Sequence, residues 1–300
     1  MSDLASCVVV SPAAPRIGLA TAAVLPNLDD DGPILIDALT VAGLSARPAI
    51  WTDAAVDWGT FDRVLVRSTW DYASQRDRFL KWAEHVDGVS RLANPLTALR
   101  WNTDKRYLAE LRDRGVGIVP TTFLEPGQTC DLPADRDFVV KPAISAGSRD
   151  TARYRADEQD RAMAHIARLH ADGRVVMVQP YIAAVDDAGE TALIFFGGEY
   201  SHGIRKGPIL NGAVTVAHGL FAEEEISTRE PSADERAAAQ RVLAALPFDP
   251  VGLVYARVDL VPGADGEPLL LELELCEPSL FLQHSVDAAA RLASALLAAS

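Results

Sequence analysis

Val254-Tyr-Ala-Arg-Val-Asp-Leu260 and Leu269-Leu-Leu-Glu-Leu-Glu-Leu275 are two apolar runs separated by the turn sequence Pro262-Gly-Ala-Asp-Gly266. Short apolar runs bounded by Gly and Pro read as strands, and the pair reads as an antiparallel hairpin. Side chains alternate with period two, so Arg257 and Asp259 share one face of the first strand. Glu272 and Glu274 share one face of the second, and Leu271, Leu273 and Leu275 take the other, buried face. Three carboxylates therefore converge beside an arginine. Left alone they would repel one another and resist ionisation. A hard cation with oxygen preference resolves the conflict, and magnesium suits it, holding few carboxylates and leaving positions for phosphate oxygens. Asp259, Glu272 and Glu274 are the candidate metal ligands. The alternative is a set of ordinary charges on a solvated strand face, which the apolar opposite face argues against.

Working outward, Thr191–Phe196 and Tyr200–Lys206 flank Gly197-Gly198, a second hairpin signature. Ser232-Ala-Asp-Glu235 fits a capping box opening a helix that runs to Ala245. The Ala-rich tail from Val286 closes the chain as a helix. Upstream, the strands Asp137–Ala143 and Arg174–Tyr181 flank a helix over Asp157–His170. Asn102–Arg114 reads as one charged amphipathic helix ended by Gly115. In the first hundred residues, strands at Leu4–Val10, Ala46–Trp51 and Arg63–Arg67 alternate with helices at Gly32–Ala42 and Asp77–Val86. That rhythm implies a parallel sheet. Asn94-Pro95 marks a boundary, because the residue before proline is pushed out of helical geometry. The expectation is a mixed α/β chain with an N-terminal parallel-sheet domain over 1–94, a central α+β unit over 95–182 and a C-terminal α+β unit over 183–300. There is no internal repeat.

Composition narrows the partners. Of 300 residues, 49% are hydrophobic and 23% charged, with a formal net charge of -14. So acidic a surface repels nucleic acid and anionic membranes, leaving small molecules as the expected partners. A bound polyanion would require basic residues gathered locally. Cys7, Cys130 and Cys276 form no CxxC pair and no zinc-spaced cluster, and an odd count argues against a disulfide framework. A reducing cytoplasm is the expectation. No segment reads as a membrane span, and Asp3, Pro12 and Pro15 do not fit a signal peptide.

The basic residues offer such an island. Lys141 ends the apolar strand Phe138-Val-Val and precedes Pro142; Lys105 closes Asn102-Thr-Asp-Lys105; Arg205-Lys206 ends another strand. Each alone is most simply a solvated surface charge. With Arg257 they could form a phosphate-binding island. The small-sided turn Ser145-Ala-Gly147-Ser148, four residues after Lys141, lets backbone N–H groups approach phosphates. It is not a Walker loop, and no GxGxxG stands in the required context. Gln179-Pro-Tyr181-Ile182 could offer amide and backbone groups to an adenine edge or be a plain linker; the sequence leaves both open. The run Arg67-Ser68-Thr69-Trp70-Asp71-Tyr72 ends an apolar strand, and in open α/β sheets ligands bind beyond the carboxyl ends of strands. It is therefore a candidate substrate-contact segment, the alternative being a polar turn with Trp70 packed on a neighbour.

Taken in order, Asp104-Lys105, Val139-Val-Lys141-Pro, Ser145–Ser148, Gln179–Ile182, Gly189-Glu190, Arg205-Lys206, Arg257-Val-Asp259 and Glu272-Leu-Glu274 resemble the ATP-grasp superfamily over about two thirds of the chain. The layout is similar to the glutathione synthetase and ribosomal-modification ligase branch. Within it, Arg67–Tyr72, the Asn94-Pro to Trp101-Asn-Thr-Asp-Lys stretch and Glu277-Pro-Ser279-Leu resemble the group containing D-cycloserine synthetase, the O-ureido-D-serine cyclo-ligase.

The resemblance implies an ATP-grasp fold, a pre-grasp domain followed by two subdomains that clasp ATP, and a magnesium-dependent ligase of antibiotic biosynthesis. It implies that Lys105, Lys141 and the loop of Ser145, Gly147 and Ser148 contact phosphates, that Gln179, Tyr181 and Ile182 line the adenine pocket, and that Glu190 lies near ribose or substrate. Asp259, Glu272 and Glu274 would hold magnesium; Arg205, Lys206 and Arg257 would neutralise the transferred phosphoryl group and the oxyanion; Arg67–Tyr72 and Ser279 would meet the substrate. A homodimer is implied by the same analogy. One departure stands out: related enzymes usually carry Glu-x-Asn where this chain has Glu272-Leu-Glu274, which adds negative charge and leaves a second ion's coordination open. The implied reaction forms an acyl phosphate that a nitrogen captures. An intermolecular amino-acid or peptide ligase and a non-catalytic nucleotide-binding regulator are the competing readings. His202, His218 and His284 carry no assigned role.

Overall fold

The structure, a computed structural model, describes residues 14–207 and 225–299. The expected strand at Leu4–Val10, together with Cys7 and His218, lies outside them. The first described strand is instead β1 (Arg16–Thr21), whose apolar run follows Pro15. After it come α1 (Gly32–Val41), β2 (Ser45–Ile50), β3 (Arg63–Val66), α2 (Arg76–Val89) and β4 (Leu92–Ala93). These four strands pair in parallel in the order β2-β1-β3-β4. The parallel sheet expected from the strand–helix rhythm is thus present among the described residues.

The chain leaves this sheet at Asn94, whose φ is 68°. The Asn94 amide donates to the carbonyls of Tyr255 and Leu275 at 2.9 and 2.7 Å and accepts the Val254 N–H at 2.7 Å. A single buried side chain thereby staples the parallel sheet to the distant hairpin that carries Arg257 and Glu274. The expected single helix over Asn102–Arg114 is two, α3 (Leu96–Asn102) and α4 (Tyr107–Asp113). The break between them lets the Lys105 N–H donate to the Ala143 carbonyl at 2.9 Å, an exchange that a continuous helix would forbid.

A four-stranded antiparallel sheet follows, in the order β5-β8-β6-β7, from β5 (Thr122–Leu124), β6 (Phe138–Pro142), β7 (Ala152–Tyr154) and β8 (Val176–Pro180). It is covered by α5 (Gln159–Ala171), which buries Ile166 and Leu169 against Phe138, Val140 and Val176. After the short α6 (Val185–Ala188), β9 (Glu190–Phe196), β10 (Glu199–Lys206), β11 (Ile226–Thr228), β12 (Tyr255–Pro262) and β13 (Pro268–Glu274) form a second antiparallel sheet in the order β11-β10-β9-β12-β13. Val254, expected at the head of the β12 strand, lies just before it, after a 3-10 turn at Pro250–Gly252.

This sheet has a core on each face. On one side α4 and α7 (Ala233–Ala244) bury Leu108, Leu111, Val242 and Leu243 against Val258, Leu273 and Leu275. On the other, α1 and α8 (Ala288–Ala298) bury Leu35, Leu39, Leu292 and Leu296 against Ile194, Phe196 and Ile204. Helix α7 carries the expected capping box: Ser232 Oγ accepts the Glu235 N–H at 3.1 Å, and Glu235 accepts the Ser232 N–H at 2.7 Å. At the outer edge of β13, Leu270 exchanges backbone hydrogen bonds with Gly117 and Val119, and side chains serve the rest. Asn102 accepts the Leu275 N–H and donates to the Leu273 carbonyl, and the Tyr107 hydroxyl both accepts from and donates to Leu273. No described helix is long and apolar enough to cross a membrane.

Candidate active site

A cleft of about 660 Å³ opens where the three sheets meet. Its floor is the β12–β13 hairpin, where the strand register puts Arg257 opposite Glu274 and Asp259 opposite Glu272. A β-bulge then shifts the register, so that Leu260 pairs with Leu270 and Leu271 is left over. A bulge of this kind re-aims side chains. Leu273 and Leu275 are buried as expected, but Leu271 is turned into the cleft beside Glu272, which corrects the simple alternation expected for the three leucines.

The cations assemble around these acids. Lys105, on the α3–α4 break, donates from Nζ to the Ser145 carbonyl at 2.8 Å and stands 3.1 Å from Glu272. Lys206, the last residue of β10, stands 2.7 Å from Asp259 and 3.0 Å from Glu190. Glu190 can be reached because Gly189 has φ 70°; a Cβ there would meet the Lys206 carbonyl at 2.5 Å, so only glycine fits. Arg257 holds both oxygens of Asp259, donates to the Ser279 carbonyl at 3.1 Å, and bonds Glu274. Lys141, on β6, faces the same space; burial, abetted by Lys105 and Lys206, lowers its pKa. Ser145, Gly147 and Ser148 line the cleft above them, with Gly147 and Ser148 both at positive φ.

The two ends of the hairpin differ in charge balance. Burial works against ionisation of Asp259, yet Arg257 and Lys206 hold its pKa down to about 2. Glu274 is pushed up to about 8, by burial first and then by Glu272, Asp259 and Glu277, against the pull of Arg257. Surplus negative charge at that point is what a bound dication would offset, and Glu272 and Glu274 open on the cleft. Asp259 does not: both its oxygens serve Arg257 and Lys206, and it is almost wholly enclosed. Among the described residues no three acids, histidines or cysteines stand together in ligand geometry, so the expected three-carboxylate convergence reduces to Glu272 and Glu274 facing the cleft with Asp259 behind.

The other expected residues divide. Tyr181 and Ile182 line the cleft with Val139, Val185, Val261 and Leu271, an apolar slot at its outer end. The Arg153 guanidinium lies 3.5 Å from the Tyr181 ring centroid and fixes that ring. Gln179 lines the cleft too, but its amide donates to Thr121 Oγ1 at 2.8 Å. Arg205, expected beside the reacting groups, alternates to the opposite side from Lys206, where its guanidinium donates to the Ala188 and Asp187 carbonyls at the end of α6. Of the run Arg67–Tyr72, only Trp70 and Tyr72 line the cleft. Arg67 is buried beneath it, facing Asp31 at 3.4 Å and Asp29 at 3.8 Å. Ser68 accepts the Asp29 N–H, Thr69 is enclosed, and Asp71 accepts the Trp51 indole N–H at 2.8 Å. Ser279 lines the cleft as expected.

Sequence reasoning missed Asp29, Asp30, Glu277 and Phe281, all on the cleft wall. The carboxyl-end rule that singled out Arg67–Tyr72 would have found the acidic run had the first strand been placed at Arg16–Thr21.

Comparison with known proteins fits this geometry. A family described as the N-terminal domain of D-cycloserine synthetase DcsG matches residues 17–94. The cycloserine biosynthesis protein DcsG of Streptomyces lavendulae is 43% identical over 295 residues, spanning 93% of this chain and 97% of that protein. The chain belongs to the D-cycloserine synthetase family. The crystal structure of a D-cycloserine synthetase DcsG superposes on this family member with a TM-score of 0.84 at 42% identity, covering 94% of this chain and 98% of that one. A D-alanine–D-alanine ligase from Bacillus anthracis complexed with ATP (TM-score 0.63, 17% identity, 95% and 96% covered) shares the fold. So does a RimK domain ATP-grasp protein from Sphaerobacter thermophilus (TM-score 0.64, 19% identity, 93% and 98% covered). The ATP-grasp architecture read from the motif order is therefore the fold of this D-cycloserine synthetase family member, a ligase.

Proposed function

We propose that the protein is an ATP- and magnesium-dependent cyclo-ligase that closes O-ureido-D-serine to D-cycloserine. The reading is carried by the 43% identity to DcsG across 93% of the chain, together with a cleft that gathers four cations against a net charge of -14. ATP lies with its base in the slot of Tyr181, Ile182, Val185 and Leu271 and its phosphates against Lys105, Lys141 and the Ser145–Ser148 loop. Glu272 and Glu274 would hold magnesium, which would supply positive charge opposite the phosphate oxygens.

The substrate carboxylate attacks the γ-phosphorus, giving an acyl phosphate and ADP. Arg257 and Lys206 stabilise the charge that develops, and no side-chain nucleophile is required. The nitrogen attached to the side-chain oxygen then displaces phosphate from the acyl carbon and closes a five-membered ring. The carbamoyl group leaves as carbon dioxide and ammonia, so one water is consumed overall. Holding nitrogen and acyl carbon in one small molecule makes ring closure a matter of orientation, an advantage that can reach about 7–11 kcal/mol. The antiparallel sheet of β5–β8 forms the roof that excludes water from the acyl phosphate.

The test is ADP release from magnesium-ATP with O-ureido-D-serine, beside a panel of D- and L-amino acids singly and in pairs, with products identified by mass. ADP and a cyclic product from O-ureido-D-serine alone are expected. ADP release only from a pair of amino acids would make the protein an intermolecular ligase instead.

A further inference from the structure

The acids buried around the cleft each have a cation, with one exception. Glu272 has Lys105 at 3.1 Å, Glu190 has Lys206 at 3.0 Å, and Asp259 has Lys206 at 2.7 Å. Glu274 is bonded to Arg257, and Arg67 stands 3.4 Å from Asp31 and 3.8 Å from Asp29. Asp30 is exposed. Glu277 is 7% exposed and lines the cleft, yet no cation lies within ion-pairing distance of it among the described residues. Its carboxyl is met by neutral groups, the Cys276 thiol and the Tyr72 hydroxyl, with Lys105 acting only from beyond pairing distance, and burial pushes its pKa up.

A carboxylate removed from water without a charge partner is costly, and a ligand that brings the missing cation recovers that cost. The surroundings say which cation. Trp70 and Tyr72 form the adjoining wall, and Trp70 is fixed by donating its indole N–H to the Glu277 carbonyl oxygen at 2.9 Å. Aromatic faces suit an organic ammonium. The protein's own cations on the cleft stand against other acids, Lys105 beside Glu272 and Lys206 and Arg257 beside Asp259. An amino acid entering between the two ends is therefore oriented by its own dipole, carboxylate toward Arg257 and ammonium toward Glu277.

We propose that Glu277 binds the α-ammonium group of the substrate and so selects an amino acid over a simple carboxylic acid, a proposal that rests on the ligase reading above. Glu277 pins one end of the substrate and delivers the carboxylate at the other end to the γ-phosphate.

The experiment measures ADP release with O-ureido-D-serine and with its des-amino counterpart, 3-(ureidooxy)propanoate, for the wild type, Glu277→Gln and Glu277→Asp. The wild type should prefer the amino substrate by at least about thirty-fold in kcat/KM, the scale of losing one partner of a buried charge pair. In Glu277→Gln the preference should collapse toward unity while KM for ATP stays unchanged, and Glu277→Asp should restore part of it. Wild-type discrimination retained by Glu277→Gln, or a wild type indifferent to the ammonium, overturns the proposal. So does a KM for ATP that rises in step with that for substrate, since this would mark a merely structural role. If O-ureido-D-serine releases no ADP, the cyclo-ligase reading fails separately, and the same comparison is made on whichever amino acid of the panel does release it and its des-amino form. No ADP release from any of them overturns both.

Discussion

Asp31 Oδ2 accepts the backbone N–H of Phe281 at 3.1 Å, across 250 residues of chain. The same carboxylate takes the N–H groups of Leu280 and Leu282 at 2.8 and 2.7 Å and faces Arg67. Phe281 sits in the left-handed region at φ 50°, so these bonds hold a turn that a bulky residue disfavours. The loop so held carries Ser279 and Phe281 to the cleft wall. Asp31→Ala would leave three donors of the turn unmet and Arg67 with Asp29 alone. The expected loss is about 3–5 kcal/mol of stability, as for other broken buried pairs. Denaturant unfolding measures it, and a loss below about 1 kcal/mol would show that the loop is held by something else.

Arg205 and Lys206 are adjacent, yet β-strand alternation sends them to different places. Lys206 meets Asp259 and Glu190 in the cleft, whereas Arg205 caps the carbonyls at the end of α6. Lys206→Ala should lower kcat by about 100-fold or more, the usual scale for removing one charge-stabilising donor. Arg205→Ala should leave kcat within about threefold and act on stability by under about 1 kcal/mol, as for a mostly solvated contact. Steady-state ADP release for the two variants side by side decides the matter; equal effects on kcat would contradict the placement.

Glu272 and Glu274 carry the magnesium reading. Chelation should stop turnover and added magnesium should restore it. Glu272→Gln should remain folded and lose at least about 100-fold in kcat, because the metal and Lys105 both depend on that charge. Full activity in excess chelator, or wild-type kcat from Glu272→Gln, would remove these residues from the reaction.

Much of this arrangement was legible where the chemistry follows from local periodicity. Strand alternation alone put Glu272 and Glu274 on one face, and a Ser-x-x-Glu pattern alone found the start of α7. What stayed hidden depended on pairing. The bulge that turns Leu271 into the cleft exists only because β13 slips one residue against β12. The α3–α4 break is imposed by the Ala143 carbonyl, almost forty residues away in sequence. Arg67 reads from sequence as a cleft cation, and only the presence of Asp29 and Asp31 beneath it makes it a buried strut. Glu277 stood out only as part of a family-like stretch and carried no role, because an acid without an ion-pair partner is recognised only once the cations around it are placed.

The capping box offers a direct check of the legible part. Ser232→Ala removes an acceptor for the Glu235 N–H at an exposed helix start, which should cost about 1 kcal/mol with no change in activity. A loss of activity would tie α7 to the cleft in a way that its packing does not suggest.

His165 sets an acid limit on stability. It is buried on α5, with Nδ1 3.0 Å from the Tyr154 hydroxyl and Nε2 enclosed without a partner among the described residues. Burial, with Arg168 and Arg174 nearby, lowers its pKa from 6.5 to about 4. The sign follows from which state takes the proton first. As pH falls through 6.5 the unfolded chain protonates His165 while the folded protein does not, so folding loses stability. The loss accumulates down to about pH 4, where the folded form protonates too, and then levels off. Its size should be on the order of 1–3 kcal/mol, since the ring is enclosed but lies near the surface. Carboxylates also titrate in this range, so the informative quantity is the difference between wild type and His165→Gln. The wild type should lead by most at pH 7, and its lead in melting temperature should shrink steadily toward pH 4. A difference that stays constant with pH would mean that folding does not shift the His165 pKa.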